Sequence, residues 1–158
     1  MKPFQRHCVE SNDYQNNLNN KKQIMAKQIF INLPVSDLKK SIDFFKKLGF
    51  TFNMQFTDDK AACLVLGENI YSMLLTKPMF ATFTKKPVSD AKQTTEVLIA
   101  IDVETKKEVN EMVEKAVSAG GKTYMDAQDH GWMYLKSFED LDGHQWEIMY
   151  SDMSKLPQ

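Results

Sequence analysis

The carboxylate of Glu147 lies within an apolar, strand-like segment of the sequence SFEDLDGHQWEIMYSD, residues 137–152. Side chains alternate along a strand, so Glu147 shares a face with Gln145 and Met149. The opposite face carries only large apolar side chains, namely Trp146, Ile148 and Tyr150. An unpartnered charge is costly in an apolar layer, so we predict that Glu147 faces a cleft and makes polar contacts there. The alternative is a buried glutamate that is held by hydrogen bonds.

Further polar side chains are candidates for ligand contacts in such a cleft. Glu96 is the second residue of the apolar segment TEVLIAIDV and is either a functional carboxylate or an exposed strand end. His130 lies in DAQDHGWMY, where polar and aromatic residues alternate, and a loop of this kind is a plausible ligand-binding wall. The residues that form this predicted wall are Gln128, His130, Trp132 and Tyr134. For His130, a binding or turn role is favoured over acid–base chemistry. His144 follows the turn residues Asp142 and Gly143 and is interpreted as structural or solvated.

The first strand of the chain predicts an apolar part of the same cleft. In QIFINLPV, residues 28–35, one face is wholly aliphatic and should pack on a helix, whereas Phe30 and Asn32 lie on the other face. In a later strand of the first module, the position equivalent to Glu147 is Tyr71 or Met73, since the turn lengths leave two even offsets and both keep the same face. Methionine suits irregular ligands, so an aromatic and methionine-rich set that is mostly core could also contribute to an adaptable apolar pocket. Its members are Phe52, Met54, Phe56, Met73, Met79, Phe80 and Phe83.

Composition limits the class of protein. The chain has 158 residues, 42% of them hydrophobic and 26% charged, with a net charge of -1, which is ordinary for one globular domain with a core. This charge gives no electrostatic case for a nucleic-acid or membrane partner. Cys8 and Cys63 are far apart and form no CxxC motif, so a reducing, cytoplasmic location is the simplest expectation.

The chain is predicted to consist of an extension and one domain of two similar halves. Residues 1–24 are rich in Asn and Gln without apolar periodicity, which predicts a disordered extension and makes Met25 a candidate start. The domain, residues 25–158, divides into a first module at about 27–77, a connector at 78–94 and a second module at about 95–152.

Each module has the order βαβββ. The first helix is predicted over residues 36–50, with Ser36 or Asp37 as its cap and Gly49 at its end. The second helix is predicted over residues 104–121. Its inward-facing residues are predicted to be Val109, Met112, Val113, Ala116 and Val117. The predicted strands cover residues 28–35, 51–58, 61–67, 69–76, 95–103, 122–128, 131–140 and 144–152. One helix for several strands predicts an α+β fold, in which curved antiparallel sheets carry helices on one face and enclose a cleft.

The two βαβββ halves, the opening LPVSDLKKSIDFFKKLGF and the closing DLDGHQWEIMY resemble the vicinal oxygen chelate superfamily, across residues 27–152. This superfamily includes glyoxalase I, bleomycin-resistance proteins and extradiol dioxygenases. The resemblance implies a homodimer and a cleft in which metal-using members bind a divalent ion through His, Glu or Gln side chains. The implied positions in this chain are Phe30, Tyr71 or Met73, Glu96 and Glu147, with Phe30 and Glu96 equivalent by the repeat.

This set of residues departs from the pattern of the metal-using members. Phe30 cannot bind a metal, and neither Tyr71 nor Met73 is a usual ligand of hard cations. Glu96 and Glu147 could hold Mg or Mn weakly, but they do not form the His/Glu set that binds Zn or Ni tightly. An extradiol dioxygenase would need two histidines at matching positions, which the sequence lacks.

Two function classes follow from the resemblance and its departures. The favoured class is a protein that binds a small apolar or aromatic molecule in the cleft, with an incomplete metal site and no certain cofactor. The alternative is a divalent-metal-dependent lyase or isomerase of the glyoxalase I type with altered ligands, in which Glu147 is the catalytic candidate and Mn, Mg, Zn or Ni the cofactor.

Overall fold

A computed structural model of the chain describes residues 25–157. The predicted N-terminal extension, residues 1–24, lies outside the described residues. Within the described part, no helix is both long and apolar enough to cross a membrane.

The described residues form eight strands and three α-helices. The strands are β1 (Ile29–Val35), β2 (Thr51–Asn53), β3 (Ala61–Gly67), β4 (Ile70–Thr76), β5 (Leu98–Asp102), β6 (Gln128–Asp129), β7 (Met133–Glu139) and β8 (Gln145–Ser151). The helices are α1 (Leu38–Leu48), α2 (Lys77–Ala81) and α3 (Lys106–Ser118). Short 3₁₀ turns cover Met54–Phe56 and Met153–Lys155.

The strands form two four-stranded sheets of identical topology, with the orders β1-β4-β3-β2 and β5-β8-β7-β6. The outer strand of each module, β1 or β5, pairs in parallel with the last strand, and the other pairs are antiparallel. The predicted α+β class and the duplicated unit are confirmed. The sheets are mixed, however, because a helical crossover joins β1 to the later strands and brings β4 alongside it in the same direction.

Local chemistry fixes the ends of both long helices. Asp37 caps α1 by accepting from Lys40 N at 3.1 Å, and Gly49 ends it with a φ of 104°, a conformation that favours glycine. Thr105 caps α3 by accepting from Glu108 N at 3.2 Å. The predicted inward residues of α3 are confirmed except for Val117, which is 46% exposed because it lies on the solvent side of the last turn.

Two predicted strands are much shorter in the structure. The strand expected over 51–58 ends at Asn53, whose side chain accepts from Gln55 N at 3.0 Å and turns the chain into the 3₁₀ segment. In the segment 122–128, pairing with β7 is limited to an isolated bridge between Lys122 and Glu139, until β6 begins at Gln128.

One hydrophobic core spans both modules. It includes Phe45 of α1, Leu74 of the first sheet and Ile148 of the second sheet. Trp146 of β8 has no exposed surface, and its ring centroid lies 5.2 Å from that of Phe45 in an edge-on arrangement. The two modules therefore fold around shared apolar contacts, in which helix α1 touches the second sheet.

Polar groups of the β7–β8 turn connect the second module to the first. Asp142 accepts from the Ser36 backbone N–H at 2.8 Å and from the Ser41 hydroxyl at 3.3 Å. The His144 ring Nε2 lies 2.9 Å from the Pro34 carbonyl, and His144 is buried, which agrees with the structural role predicted for it.

Candidate ligand cleft

Each sheet has one face packed against α1 or α3 and one face without these helices, here called the helix-free face. Strand alternation places Phe30 and Asn32 on the helix-free face of the first sheet, opposite the buried Leu33 and Val35. Phe30 is 48% exposed. The predicted division of β1 into a helix face and a cleft face is therefore confirmed, apart from Ile29, which is 52% exposed at the strand end.

An aromatic pair covers part of the helix-free face of the first sheet. Phe30 and Tyr71 are paired residues of the parallel strands β1 and β4, and their rings stack with centroids 5.0 Å apart and planes 17° from parallel. In the same register Asn32 lies beside Met73. The structure thus brings together the four residues that the sequence assigned to the apolar part of the cleft.

A cavity of about 240 Å³ lies where the two modules meet. Asn32 of β1, Gln145 of β8 and Glu96 are among the residues that line it. Thr95 donates to the Gln145 side chain at 2.7 Å, which orders this wall. Glu96 and Asn32 therefore line the same cavity, and the role of Glu96 as a ligand-binding group stays a prediction.

The repeat equivalence predicted for Glu96 is wrong. Strand β5 begins at Leu98, and Leu98 lies seven residues before the helix cap Thr105, just as Phe30 lies seven residues before Asp37. Leu98 is therefore the counterpart of Phe30, and Glu96 precedes the strand. The sequence interpretation extended β5 too far toward its N-terminus. The residue aligned with Phe30 was therefore placed two positions too early, at Glu96 instead of Leu98.

The same comparison identifies the counterpart of Glu147. Glu147 of β8 pairs with Ala100, which lies five residues before the cap of α3. Met73 of β4 pairs with Asn32, which lies five residues before the cap of α1. Met73, of the two residues left open by the sequence, is therefore the counterpart of Glu147. Glu147 is half-buried on the helix-free face, as predicted.

Two hydroxyl groups lie near Glu147. Ser137 of β7 is directly opposite Glu147 in the antiparallel register and is 3% exposed. Burial raises the pKa of the Tyr124 phenol, and the negative charges of Glu147 and Glu139 raise it further, while a hydrogen bond from the adjacent Ser137 hydroxyl lowers it. Tyr124 thus remains a protonated hydrogen-bond donor beside the carboxylate.

The loop predicted at His130 is present as a turn, but the four residues of the predicted wall do not share one face. Residues 130–133 form the hairpin turn between β6 and β7, in which His130 N donates to Met133 O at 2.9 Å and Gly131 has a φ of 81°. Gln128 pairs with Leu135 on the helix-free face, whereas Tyr134 faces α3, where its hydroxyl donates to Asn110. The sequence predicted a loop between two strands here, but it did not show that Gln128 and Tyr134 would face opposite sides of the sheet.

The turn itself holds the other two predicted residues. His130 is exposed, with its Nε2 3.4 Å from the Gln128 side-chain oxygen, and Trp132 is half-buried, with its carbonyl accepting from Asp152 N at 2.7 Å. Their predicted ligand contacts stay predictions.

The side chains present do not fit a divalent metal ion of the glyoxalase I type. The four repeat-related positions are Phe30, Met73, Leu98 and Glu147, and a carboxylate is present at one of them. Phenylalanine and leucine offer no donor atom, and a thioether is a poor ligand for hard cations. Among residues 25–157, no three His, Cys, Asp or Glu side chains cluster in a way that could hold a metal.

Sequence reasoning missed Tyr124 and Ser137, and it did not identify Leu98 as the counterpart of Phe30. Counting back from both helix caps would have identified Leu98. Tyr124 and Ser137 carried no local signal, because the cross-strand register that brings them to Glu147 is a property of the sheet.

Comparison with known proteins agrees with this architecture. The family model described as Glyoxalase/Bleomycin resistance protein/Dioxygenase superfamily matches residues 27–148. The hypothetical protein SA1046 from S. aureus is 30% identical, with a TM-score of 0.69 over 81% of this chain and 96% of that one. None of the curated proteins to which the chain was compared matches it.

More distant structures share the fold. A glyoxalase-related enzyme from Fulvimarina pelagi is 21% identical, with a TM-score of 0.68 over 80% of this chain and 89% of that one. The fosfomycin resistance protein FosX from Listeria monocytogenes is 18% identical, with a TM-score of 0.59 over 83% of this chain and 98% of that one. The matched family model, which covers most of the chain, shows that this protein belongs to the Glyoxalase/Bleomycin resistance protein/Dioxygenase superfamily.

Proposed function

We propose that this protein binds a small, neutral, apolar or aromatic molecule on the helix-free faces of its two sheets, without a tightly held metal ion. One observation carries the proposal. At the four repeat-related positions of the cleft, apolar or aromatic side chains occupy three places and Glu147 the fourth.

The exposed aromatic pair supports a ligand with a flat apolar body. Phe30 keeps 48% of its surface exposed although it stacks on Tyr71, so one ring face remains open to a ligand. Leu98, 50% exposed, presents a second apolar surface on the other sheet. Aromatic rings favour offset stacking and bury a large area, so such a surface suits a ring better than a charged group.

Indole, a neutral and water-soluble aromatic molecule, is a suitable first probe. We expect it to shift the backbone amide NMR signals of β1, β4 and β5, and we expect Phe30→Ala to weaken its binding about fivefold, since an aromatic pair contributes about 0.5–1.5 kcal/mol beyond area burial. Phe56→Ala is the matched control, because Phe56 is a 61% exposed phenylalanine beyond β2, at the far edge of the first sheet. Equal losses in both variants, or shifts confined to other surfaces, would contradict the proposal.

The response of the melting temperature to added divalent metals distinguishes this proposal from a metal-dependent lyase. We expect the melting temperature of dialysed protein to stay unchanged with Mg, Mn, Ni or Zn, because three of the four repeat-related positions lack a suitable donor. Glu147→Gln should then show the same metal response as the unmodified chain. Stoichiometric metal that is lost in Glu147→Gln, together with turnover of the methylglyoxal–glutathione adduct, would establish the lyase instead.

The assembly state belongs to the same proposal. We infer a homodimer, as the family resemblance implied, and a cytoplasmic location, as the cysteine content suggested. Sedimentation velocity on the purified chain measures the oligomeric state directly.

A further inference from the structure

The cavity of about 240 Å³ where the two modules meet is lined by three separate parts of the chain. Asn32 belongs to β1, Gln145 to β8, and Glu96 to the segment that leads into β5. The connector between the modules supplies Phe80 and Ala91. We call the space between these residues the junction cavity. It has the volume of about eight water molecules in the liquid, so it admits one small ring rather than a drug-sized molecule, whose pockets measure about 300–1,000 Å³.

Two contacts fix the walls of the junction cavity. Gly143, in the β7–β8 turn, has a φ of 92°, and a Cβ atom built on it would lie 2.9 Å from Ala91 C and from Lys92 N. Only glycine therefore lets the connector pass this close to the turn. His144 lines the cavity beside it and holds β1 through its Nε2, which lies 2.9 Å from the Pro34 carbonyl oxygen. The cavity is thus part of the packing between the modules and not a gap between loose segments.

Two polar side chains in the junction cavity are available to a ligand. Along this wall Thr95 donates to the Gln145 side chain at 2.7 Å, and Gln145 donates to Glu139 at 3.4 Å. Within residues 25–157, the Asn32 amide and the Glu96 carboxylate take part in no side-chain hydrogen bond or ion pair. Among the described residues that line the cavity, Glu96 is the one carboxylate, and no lysine or arginine is present.

The charge and hydrogen-bonding groups of the junction cavity select the kind of ligand. Glu96 repels an anion and only accepts hydrogen bonds, whereas the Asn32 amide both donates and accepts. An ammonium group only donates, so it would leave the Asn32 amide NH2 without an acceptor. A hydroxyl both donates and accepts, and two adjacent hydroxyls can donate to the two oxygens of Glu96. The half-buried ring of Phe80 offers a flat apolar wall for the C–H groups that carry such hydroxyls.

We propose that the junction cavity binds an uncharged head group with adjacent hydroxyls, of the sugar class. A pair of hydroxyls donates to Glu96, and a hydroxyl oxygen accepts from the Asn32 amide, while the ring packs on Phe80. Asn32 lies two residues beyond Phe30 on the same strand face, a separation of about 7 Å, so an aromatic body that contacts Phe30 and Tyr71 can carry this head group. The inference rests on the proposed function, because it assigns the polar end of the same ligand.

Phenyl glucoside and phenyl glucuronide test the proposal, because they differ only in a CH2OH group of the first that is a carboxylate in the second. Isothermal titration should show phenyl glucoside binding at least fivefold more tightly, since Glu96 repels the anion. Glu96→Gln should weaken phenyl glucoside about fivefold, because glutamine accepts through one oxygen and carries no charge, and it should bring the two affinities together. The amide NMR signals that phenyl glucoside shifts should include those of Glu96, Gly143 and Gln145.

Glu114→Gln is the matched control for Glu96→Gln. It removes the same charge from an exposed position on α3, outside the junction cavity, so it should leave both glycoside affinities unchanged. Glu96 is exposed as well, and neither variant should therefore alter the melting temperature of the free protein.

The contrary outcomes separate this inference from the function on which it rests. Equal affinities of the two glycosides for the unmodified chain, or equal losses in Glu96→Gln and Glu114→Gln, would overturn the sugar-class head group, while indole binding at Phe30 still upholds the proposed function. Absence of phenyl glucoside binding, or NMR shifts confined to residues outside the junction cavity, would overturn it as well. Failure of indole and of both glycosides would overturn the proposed function together with this inference.

Discussion

Asp140→Ala should lower the free energy of unfolding by about 3 kcal/mol or more, since each buried group left without a partner costs about 1–3 kcal/mol. Asp140 accepts from three donors: the backbone N–H groups of Asp142 and His144, both at 3.0 Å, and Trp146 Nε1 at 3.1 Å. The carboxyl is buried, and burial raises its pKa, while the charge of His144 and the three donors act against that rise. Alanine supplies none of these acceptors, so all three donors lose their partner inside the protein.

Urea denaturation followed by circular dichroism measures this loss, and two further variants refine it. Asp140→Asn retains one oxygen, which can still accept from the two backbone N–H groups, but it turns an amide NH2 group toward Trp146 Nε1. Its free energy of unfolding should therefore fall by less than that of Asp140→Ala. Asp59→Ala is the control, because Asp59 is an exposed turn residue outside this network. If Asp140→Ala were no more destabilising than Asp59→Ala, the turn would not be a structural support of the second module.

Trp146→Ala should destabilise the fold by about 3–5 kcal/mol, the usual cost of deleting a buried aromatic side chain. Trp146 is fully buried between Phe138, whose ring is parallel to it with centroids 6.2 Å apart, and Phe45 of α1. Its removal leaves a cavity at the point where the first module contacts the second sheet. Since domains are stable by only about 5–15 kcal/mol, much of the chain could unfold at 37 °C.

The second tryptophan of the chain provides the control for this experiment. Trp132 is half-buried in the β6–β7 turn, so Trp132→Ala should cost clearly less than Trp146→Ala. Thermal and urea unfolding of both variants gives the comparison. Similar losses would mean that the shared core between the modules contributes little, and the two sheets would then be expected to unfold in separate transitions.

The parts of the fold that depend on neighbours in sequence were predicted well. Helix α1 begins and ends where Asp37 and Gly49 indicate, because capping and left-handed turn geometry are local properties. Strand β2 was predicted too long, because the Asn53 side chain redirects the chain within a stretch that is otherwise rich in strand-forming residues. Val117 was misassigned because apolar periodicity does not show which side of a final helical turn remains covered.

The candidate site was predicted in part. Phe30, Asn32, Tyr71 and Met73 meet as expected, because alternation along a strand decides their face and both strands were recognised. Glu96 was wrongly aligned with Phe30, because β5 starts later than predicted, at Leu98. The four residues around His130 were expected to form one loop wall, but the turn places Gln128 and Tyr134 on opposite faces of the sheet.

The sequence by itself determined the duplicated βαβββ order, the long helices with their caps and the face of Glu147. These follow from residue type, periodicity of two or 3.6 and turn chemistry, all of which act over a few residues. Only the tertiary structure decided which side chains accompany Glu147. Strand pairing brings Tyr124 and Ser137 to it from distant parts of the chain and aligns Leu98 with Phe30, since register is set by the packing of whole sheets.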